Sequence, residues 1–113
     1  MSKNLNITVL MDFYGQLLTE KQYGAMDMYY NQDLSLAEIA EETEISRQGV
    51  RDFIKRGEKQ LFEFEEKLGL AKRFSDMSVR IKEINEIADR LETGERGELE
   101  RLKSLAVELS EYL

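Results

Sequence analysis

Cysteine, histidine and proline are all missing from this 113-residue chain. Without cysteine there can be no disulfide, no thiolate chemistry and no thiolate metal site. Without histidine a serine nucleophile lacks its usual base. Without proline nothing breaks a long helix from inside. The seven glycines are scattered, and no GxxxxGK phosphate loop occurs. No apolar run approaches the roughly 18 residues that a membrane span needs. Only Lys3 precedes the first short apolar stretch, and no small-residue cleavage site follows, so no signal peptide is expected. Neighbouring carboxylates occur at Glu41–Glu42 and Glu65–Glu66. Adjacent positions on a polar helix face do not converge on a substrate, as a catalytic pair must. The expectation is a cytoplasmic protein that is not an enzyme and has no cofactor and no metal.

What is present favours helix. Glu, Lys, Leu, Arg and Ala are abundant, and all are good helix formers. The expected fold class is all-α. Charge is unevenly spread around a net value of −7. Residues 1–45 carry two basic and eight acidic side chains, and residues 61–113 carry nine and thirteen. Between them, residues 46–60 carry five basic and two acidic, the only net-positive segment of the three. Attraction to phosphate would therefore be local, modest and strongly salt-sensitive.

That basic segment lies in the most informative stretch of the chain, SLAEIAEETEISRQGVRDFIKR at 35–56. Ser35 can cap a helix, with Glu38 completing a capping box. Leu36, Ile39 and Ala40 form an apolar stripe at helical spacing. Thr43, Glu44 and Ile45 lead to Ser46, which can cap a second helix. On that helix Val50 and Ile54 face inward, and Arg47, Gln48, Arg51, Asp52 and Lys55 face outward. This is the layout of a helix-turn-helix, whose second helix enters the major groove of double-stranded DNA. Arg47, Gln48, Arg51 and Asp52 are the candidate base readers. Ser46, Lys55, Arg56 and Lys59 are the candidate phosphate contacts. The competing reading is a solvated helix face, with pairs such as Lys59–Glu63 that stabilise little.

Around the motif the periodicity predicts further helices. Leu10, Phe13, Tyr14, Leu17 and Leu18 suggest a first helix over 5–18. Thr19, with Gln22 three residues on, caps a second helix reaching about Asn31 and burying Tyr23, Met26 and Tyr30. Val50, Ile54, Gly57, Leu61, Phe64 and Leu68 carry the recognition helix on to about Leu68, with Gly69 as its C-cap. Aromatic residues Tyr29, Tyr30, Phe53, Phe62 and Phe64, and Met11, Met26, Met28 and Met77, read as packing rather than as base-stacking groups. In the tail, Met77, Ile81, Ile84, Ala88 and Leu91 form one seam. Leu99, Leu102, Ala106, Leu109 and Leu113 form another, beyond a break at Thr93 and Gly94 to Gly97. Two helices joined this way make an antiparallel hairpin. Its seams could fold back on the long helix or pair with a second copy. Dimerisation is favoured, because two half-sites add specificity.

The blocks DFYGQLLTEKQ at 12–22, SLAEIAEETEISRQGVRDFIKR at 35–56 and EKLGL at 66–70 resemble the YlxM family of small bacterial proteins. The resemblance covers about the first 70 residues; the tail agrees in character only. It implies a DNA-binding helix-turn-helix without a wing, similar to region 4 of bacterial sigma factors, followed by a long helix and a helical hairpin. In that region a serine or threonine caps the recognition helix, and an Arg-Glu and a later Arg-Gln pair reach the promoter. Ser46 matches the cap, and Arg47 and Arg51 match the two arginines. Gln48 and Asp52 depart from the pattern, so base preference should differ. No segment resembles the sigma region that binds core polymerase. The resemblance also implies a link to the signal recognition particle and its GTPases.

Residues 1–70 are therefore expected to form the DNA-binding unit and residues 71–113 a dimerisation or interaction hairpin. The alternative is an adaptor that binds the signal recognition particle protein or its receptor without touching DNA. An accessory of the transcription complex that imitates sigma region 4 is a third reading.

Overall fold

In the computed structural model, residues 6–91 and 97–113 are described. Their secondary structure is all-α. Helix α1 spans Asn6–Tyr14 and runs into a 3-10 turn at Gly15–Leu17. Then come α2 (Glu20–Tyr30), α3 (Leu36–Thr43), α4 (Arg47–Leu68), α5 (Leu70–Leu91) and α6 (Glu98–Ser110). Two compact units result, Met1–Ala71 and Lys72–Leu113. A helix start near Leu5 and a break at Thr93 and Gly94 fall outside the described residues.

In the first unit, α1, α2 and α3 all pack on α4. Val50, Ile54, Gly57 and Leu61 line the buried face of α4, the four-and-three spacing of the sequence. Against them lie Ile7, Leu10, Met11, Tyr14, Met26 and Ile39, all buried. Gly57 has a steric reason to be a glycine. A Cβ there would collide with the Met26 side chain, which is itself fully buried.

The helix ends follow local chemistry. Thr19 Oγ1 accepts from the Gln22 N–H, and the Gln22 amide oxygen accepts from the Thr19 N–H, both at 3.2 Å. Gly69, in the left-handed region at φ +62°, closes α4 by donating its N–H to the Glu65 carbonyl. A side-chain hub joins the ends of α1, α4 and α5. The Tyr14 hydroxyl donates to the Glu65 carboxylate at 2.6 Å and accepts from the Leu70 N–H at 3.0 Å. The same Glu65 oxygen accepts from the Ala71 N–H at 3.0 Å. Burial, reinforced by the hydrogen bond to Glu65, pushes the Tyr14 phenol above its ordinary pKa.

Several packing expectations need correcting. Tyr23 is 40 % exposed and Tyr30 is half-buried, while Ala25 and Tyr29 are buried instead. Helix α2 meets α4 along Gln22, Ala25, Met26 and Tyr29, a line one residue away in phase. Tyr30 keeps its hydroxyl at the rim to reach Glu58, and the Tyr23 ring lies against Gly15. Leu17 is exposed because α1 stops at Tyr14 and the 3-10 turn shifts the helical phase; Leu18 is still buried. Phe62 and Leu68 are exposed as well, since α1, α2 and α3 cover one side of α4.

In the second unit α5 and α6 run antiparallel. Arg90–Glu98 at 2.9 Å, Arg101–Glu83 at 2.7 Å and Arg80–Glu108 at 3.1 Å pair positions that descend along α5 with positions that ascend along α6. Arg101 holds the Glu83 carboxyl below its usual range. Ile87 and Leu105 are the fully buried contacts. Met77, Ile84, Leu102 and Leu109 are half-buried, and Ile81, Ala88, Leu91, Leu99, Ala106 and Leu113 are exposed.

Gly57→Ala sets two effects against each other. Helix propensity gains about 1 kcal/mol, whereas overpacking a filled core costs about 1–3 kcal/mol. Met26 is fully buried, so its side chain must displace other core groups to make room, and the variant should unfold at a lower denaturant midpoint than wild type. In the double variant Gly57→Ala, Met26→Ala the two losses should be clearly less than additive. Additive losses would mean that the contact does not constrain the helices.

Candidate nucleic-acid interface

The site is built from α3, the turn after it and the first half of α4. Ser35 Oγ accepts from the Glu38 N–H at 3.1 Å, and the Glu38 carboxylate accepts from the Ser35 N–H at 3.2 Å. This capping box fixes the start of α3. At its end Glu44 takes the left-handed conformation, at φ +58°. The chain then extends through Ser46, whose Oγ accepts from the Gly49 N–H at 3.0 Å. With glycine at that third position, no return bond to the Ser46 N–H can form, so Ser46 caps α4 alone. Ile39, Val50 and Ile54 are fully buried and hold the two helices together.

The outward face of α4 brings the sequence-predicted residues together. Arg47, Gln48, Arg51, Asp52, Lys55, Arg56 and Lys59 are all exposed. Arg47, Arg51 and Lys55 succeed one another at four-residue steps, with Gln48, Asp52 and Lys59 beside them. Among the described residues, no carboxylate lies within ion-pair distance of Arg47, Arg51, Lys55 or Lys59. The anticipated Lys59–Glu63 pair is not formed. Arg56 sits toward the flank, with its guanidinium 5.5 Å from the centre of the Phe53 ring. The Gln48 amide nitrogen donates to Asp52 Oδ1 at 3.0 Å.

Leu36 of α3 joins Arg47, Gln48 and Arg51 around a shallow hollow of ≈ 430 Å³. Sequence reading placed Leu36 in the core stripe, and nothing in its spacing signals this second contact. Glu44 in a left-handed turn was equally hidden, because glycine or asparagine is the usual signal. A second hollow of ≈ 410 Å³ lies where α1 meets α2 and holds none of the basic residues. The basic face has acidic neighbours, with Glu38, Glu41, Glu42 and Glu44 exposed on α3 and its turn. No helix among the described residues is long and apolar enough to cross a membrane.

A capped helix, a tight turn and a second helix with a polar outer face and a buried inner one define a helix-turn-helix protein. Residues 1–102 match the family described as "Putative helix-turn-helix protein, YlxM / p13 like", and the chain belongs to that family. It is 44 % identical to a UPF0122 protein of Desulforamulus reducens over 93 % of this chain and 91 % of that one. To a UPF0122 protein of Clostridium perfringens it is 54 % identical, over 74 % of this chain and 73 % of the relative. A third relative, from Acetivibrio thermocellus, is 52 % identical over 74 % and 72 %.

Since Ser46 is the sole side-chain cap of α4, Ser46→Ala should lower the unfolding free energy by about 1 kcal/mol, and Ser46→Asn should restore most of it. Chemical denaturation of the three proteins measures both. Equal midpoints would show that the cap does not hold the helix start.

Proposed function

We propose that this protein binds double-stranded DNA by laying the first half of α4 in the major groove. Arg47, Gln48 and Arg51 reach base edges, and Ser46, Lys55, Arg56 and Lys59 hold phosphates. The observation that carries the reading is the row of exposed cations without ion-pair partners on a chain of net charge −7. Such a row is retained against the balance of the chain, and arginine beside a helix N-terminus suits guanine and phosphate alike. The exposed glutamates of α3 lie where the first helix of such a motif crosses the backbone. They limit affinity by repelling phosphate. The motif is that of sigma region 4, and Gln48 and Asp52 give it a different base preference.

The reading includes a homodimer. Within the hairpin, the ion pairs occupy one flank. Met77, Ile81 and Ile84 of α5 line an open apolar hollow together with Ala106, Leu109 and Leu113 of α6, and Ala88, Leu91 and Leu99 are further exposed apolar positions of the hairpin. Ile81, Leu99 and Leu113 are 47 %, 53 % and 103 % exposed. The α4 seam is already filled by α1–α3, so a second hairpin is the natural cover, in the manner of a four-helix bundle. Residues 1–70 then serve as the DNA-binding domain and 71–113 as the dimerisation element, and two half-sites give the specificity that one acidic subunit lacks.

A second reading is an adaptor of the signal recognition particle pathway, the association that the resemblance to YlxM proteins implies. It is favoured by the eight acidic side chains of residues 1–45, a surface suited to a basic partner. DNA binding and this role are compatible if the protein acts as a regulator in a cytoplasmic targeting pathway.

Binding to fragmented genomic DNA, followed by anisotropy at about 50 and 200 mM salt, should fall by at least about ten-fold across that range. Arg47→Ala with Arg51→Ala should remove the sequence preference that the two arginines contribute and leave the helical content unchanged. Wild-type affinity in that double variant would take the two arginines out of the role. No DNA binding at low salt, with micromolar binding to the purified particle protein or its receptor, would favour the adaptor. In light scattering the chain should run at about twice its 13.2 kDa. A monomer at every concentration would end the dimer proposal.

A further inference from the structure

Gln48 and Asp52 stand one helical turn apart on the exposed face of α4, and they are not independent. The Gln48 amide nitrogen donates to Asp52 Oδ1 at 3.0 Å. A carboxylate only accepts, so the amide must turn its nitrogen toward Asp52 and its oxygen away. Among the described residues, neither side chain has another hydrogen-bond partner. The outward groups of the pair are therefore two acceptors, the Gln48 carbonyl oxygen and the second Asp52 oxygen, and one remaining donor, the second N–H of the Gln48 amide. Arg47 and Arg51, donors only, flank them. An unrestrained glutamine could rotate its amide to match either a donor or an acceptor on a base. This one is held in a single sense.

We infer that Asp52 is a positioning residue that fixes the sense of the Gln48 amide, with its carbonyl oxygen outward, so that this pair selects bases bearing an exocyclic amino group, adenine or cytosine, on the strand it faces. The amino groups of adenine and cytosine donate into the major groove, whereas guanine O6 and thymine O4 accept there. A keto base would meet two acceptors and a single donor, whereas adenine can give its amino hydrogen to the Gln48 carbonyl oxygen and take the second Gln48 N–H on N7, and cytosine can give its amino hydrogen to either oxygen. The inference rests on the DNA-binding reading given above and assigns a base class within that same interface.

The test is selection of bound duplexes from a randomised library at about 50 mM salt, where phosphate contacts are least screened. Wild type, Asp52→Ala, Asp52→Asn and Gln48→Ala are compared. Wild type should favour adenine or cytosine over guanine or thymine at one position by about ten-fold, the value of one good directional contact. Asp52→Ala should reduce that preference to within about two-fold, since the amide is freed to present either group. Asp52→Asn should reduce it as well, because an asparagine amide both donates and accepts and so no longer fixes the sense of Gln48. It should also bind all sequences more tightly, because a negative charge is gone. Gln48→Ala should lose the preference at the same position and at no other. A selected motif that Asp52→Ala leaves untouched would overturn this inference and leave DNA binding standing. A guanine or thymine preference at the Gln48-dependent position would overturn it too. Failure of every protein to enrich any sequence would overturn both.

Discussion

The close approach of α2 to α4, where the Met26 side chain occupies the space of a missing Gly57 side chain, sets the geometry of the first unit. A glycine in the middle of a 22-residue helix costs about 1 kcal/mol in propensity. In return, Met26 packs into the helix surface and is removed entirely from water. Once α2 is seated there, Tyr29 and Ala25 are buried and Tyr30 comes into reach of Glu58. Helix α3 then closes the other side of the same spine through Ile39, Val50 and Ile54. The angle between α3 and α4, on which any groove-reading helix depends, follows from contacts that never touch the outward face.

That division of labour runs along a single helix. The inward line of α4 is apolar and fully used within the first unit. The outward line is charged, exposed and short of partners. Both are carried on one rigid element, so the outward residues need no ordering of backbone before they meet a ligand. A binding face of this kind gives up little conformational entropy on association. On the proposed DNA-binding reading, specificity would come from side-chain identity and from pairs such as Gln48–Asp52.

Much of this was legible before any coordinates. The caps at Thr19, Ser35 and Ser46, the glycine stop at Gly69 and the Val50–Leu61 stripe all rest on contacts within four residues, and such contacts are written in local sequence. The α2 stripe was misread because tyrosine is amphipathic. Counting Tyr23 and Tyr30 as apolar rotated the helix, whereas the Tyr30 hydroxyl reaches out to Glu58 at the rim and Tyr23 is exposed. The Tyr14–Glu65 hydrogen bond joins residues 51 positions apart, and no periodicity announces it. In the hairpin the apolar residues mark a stripe wider than one helix can cover. Ile87 and Leu105 lie on its edge, where Arg80, Glu83, Arg90 and Glu108 close over them. Charged side chains with long stems cover apolar surface as well as leucine does, and apolar counting alone overlooks them. On the interface, the identity of the basic face was readable. The Gln48–Asp52 hydrogen bond needed the geometry.

The hub at Tyr14 bears on how helix α5 begins. The costly step in making a helix is its first turn, where several residues are fixed before any hydrogen bond repays them. For α5 that turn is held from outside, by the Tyr14 hydroxyl on the Leu70 N–H and the Glu65 carboxylate on the Ala71 N–H. Once α1 and α4 are in place, the nucleus of α5 exists already, and the helix can lengthen by propagation alone.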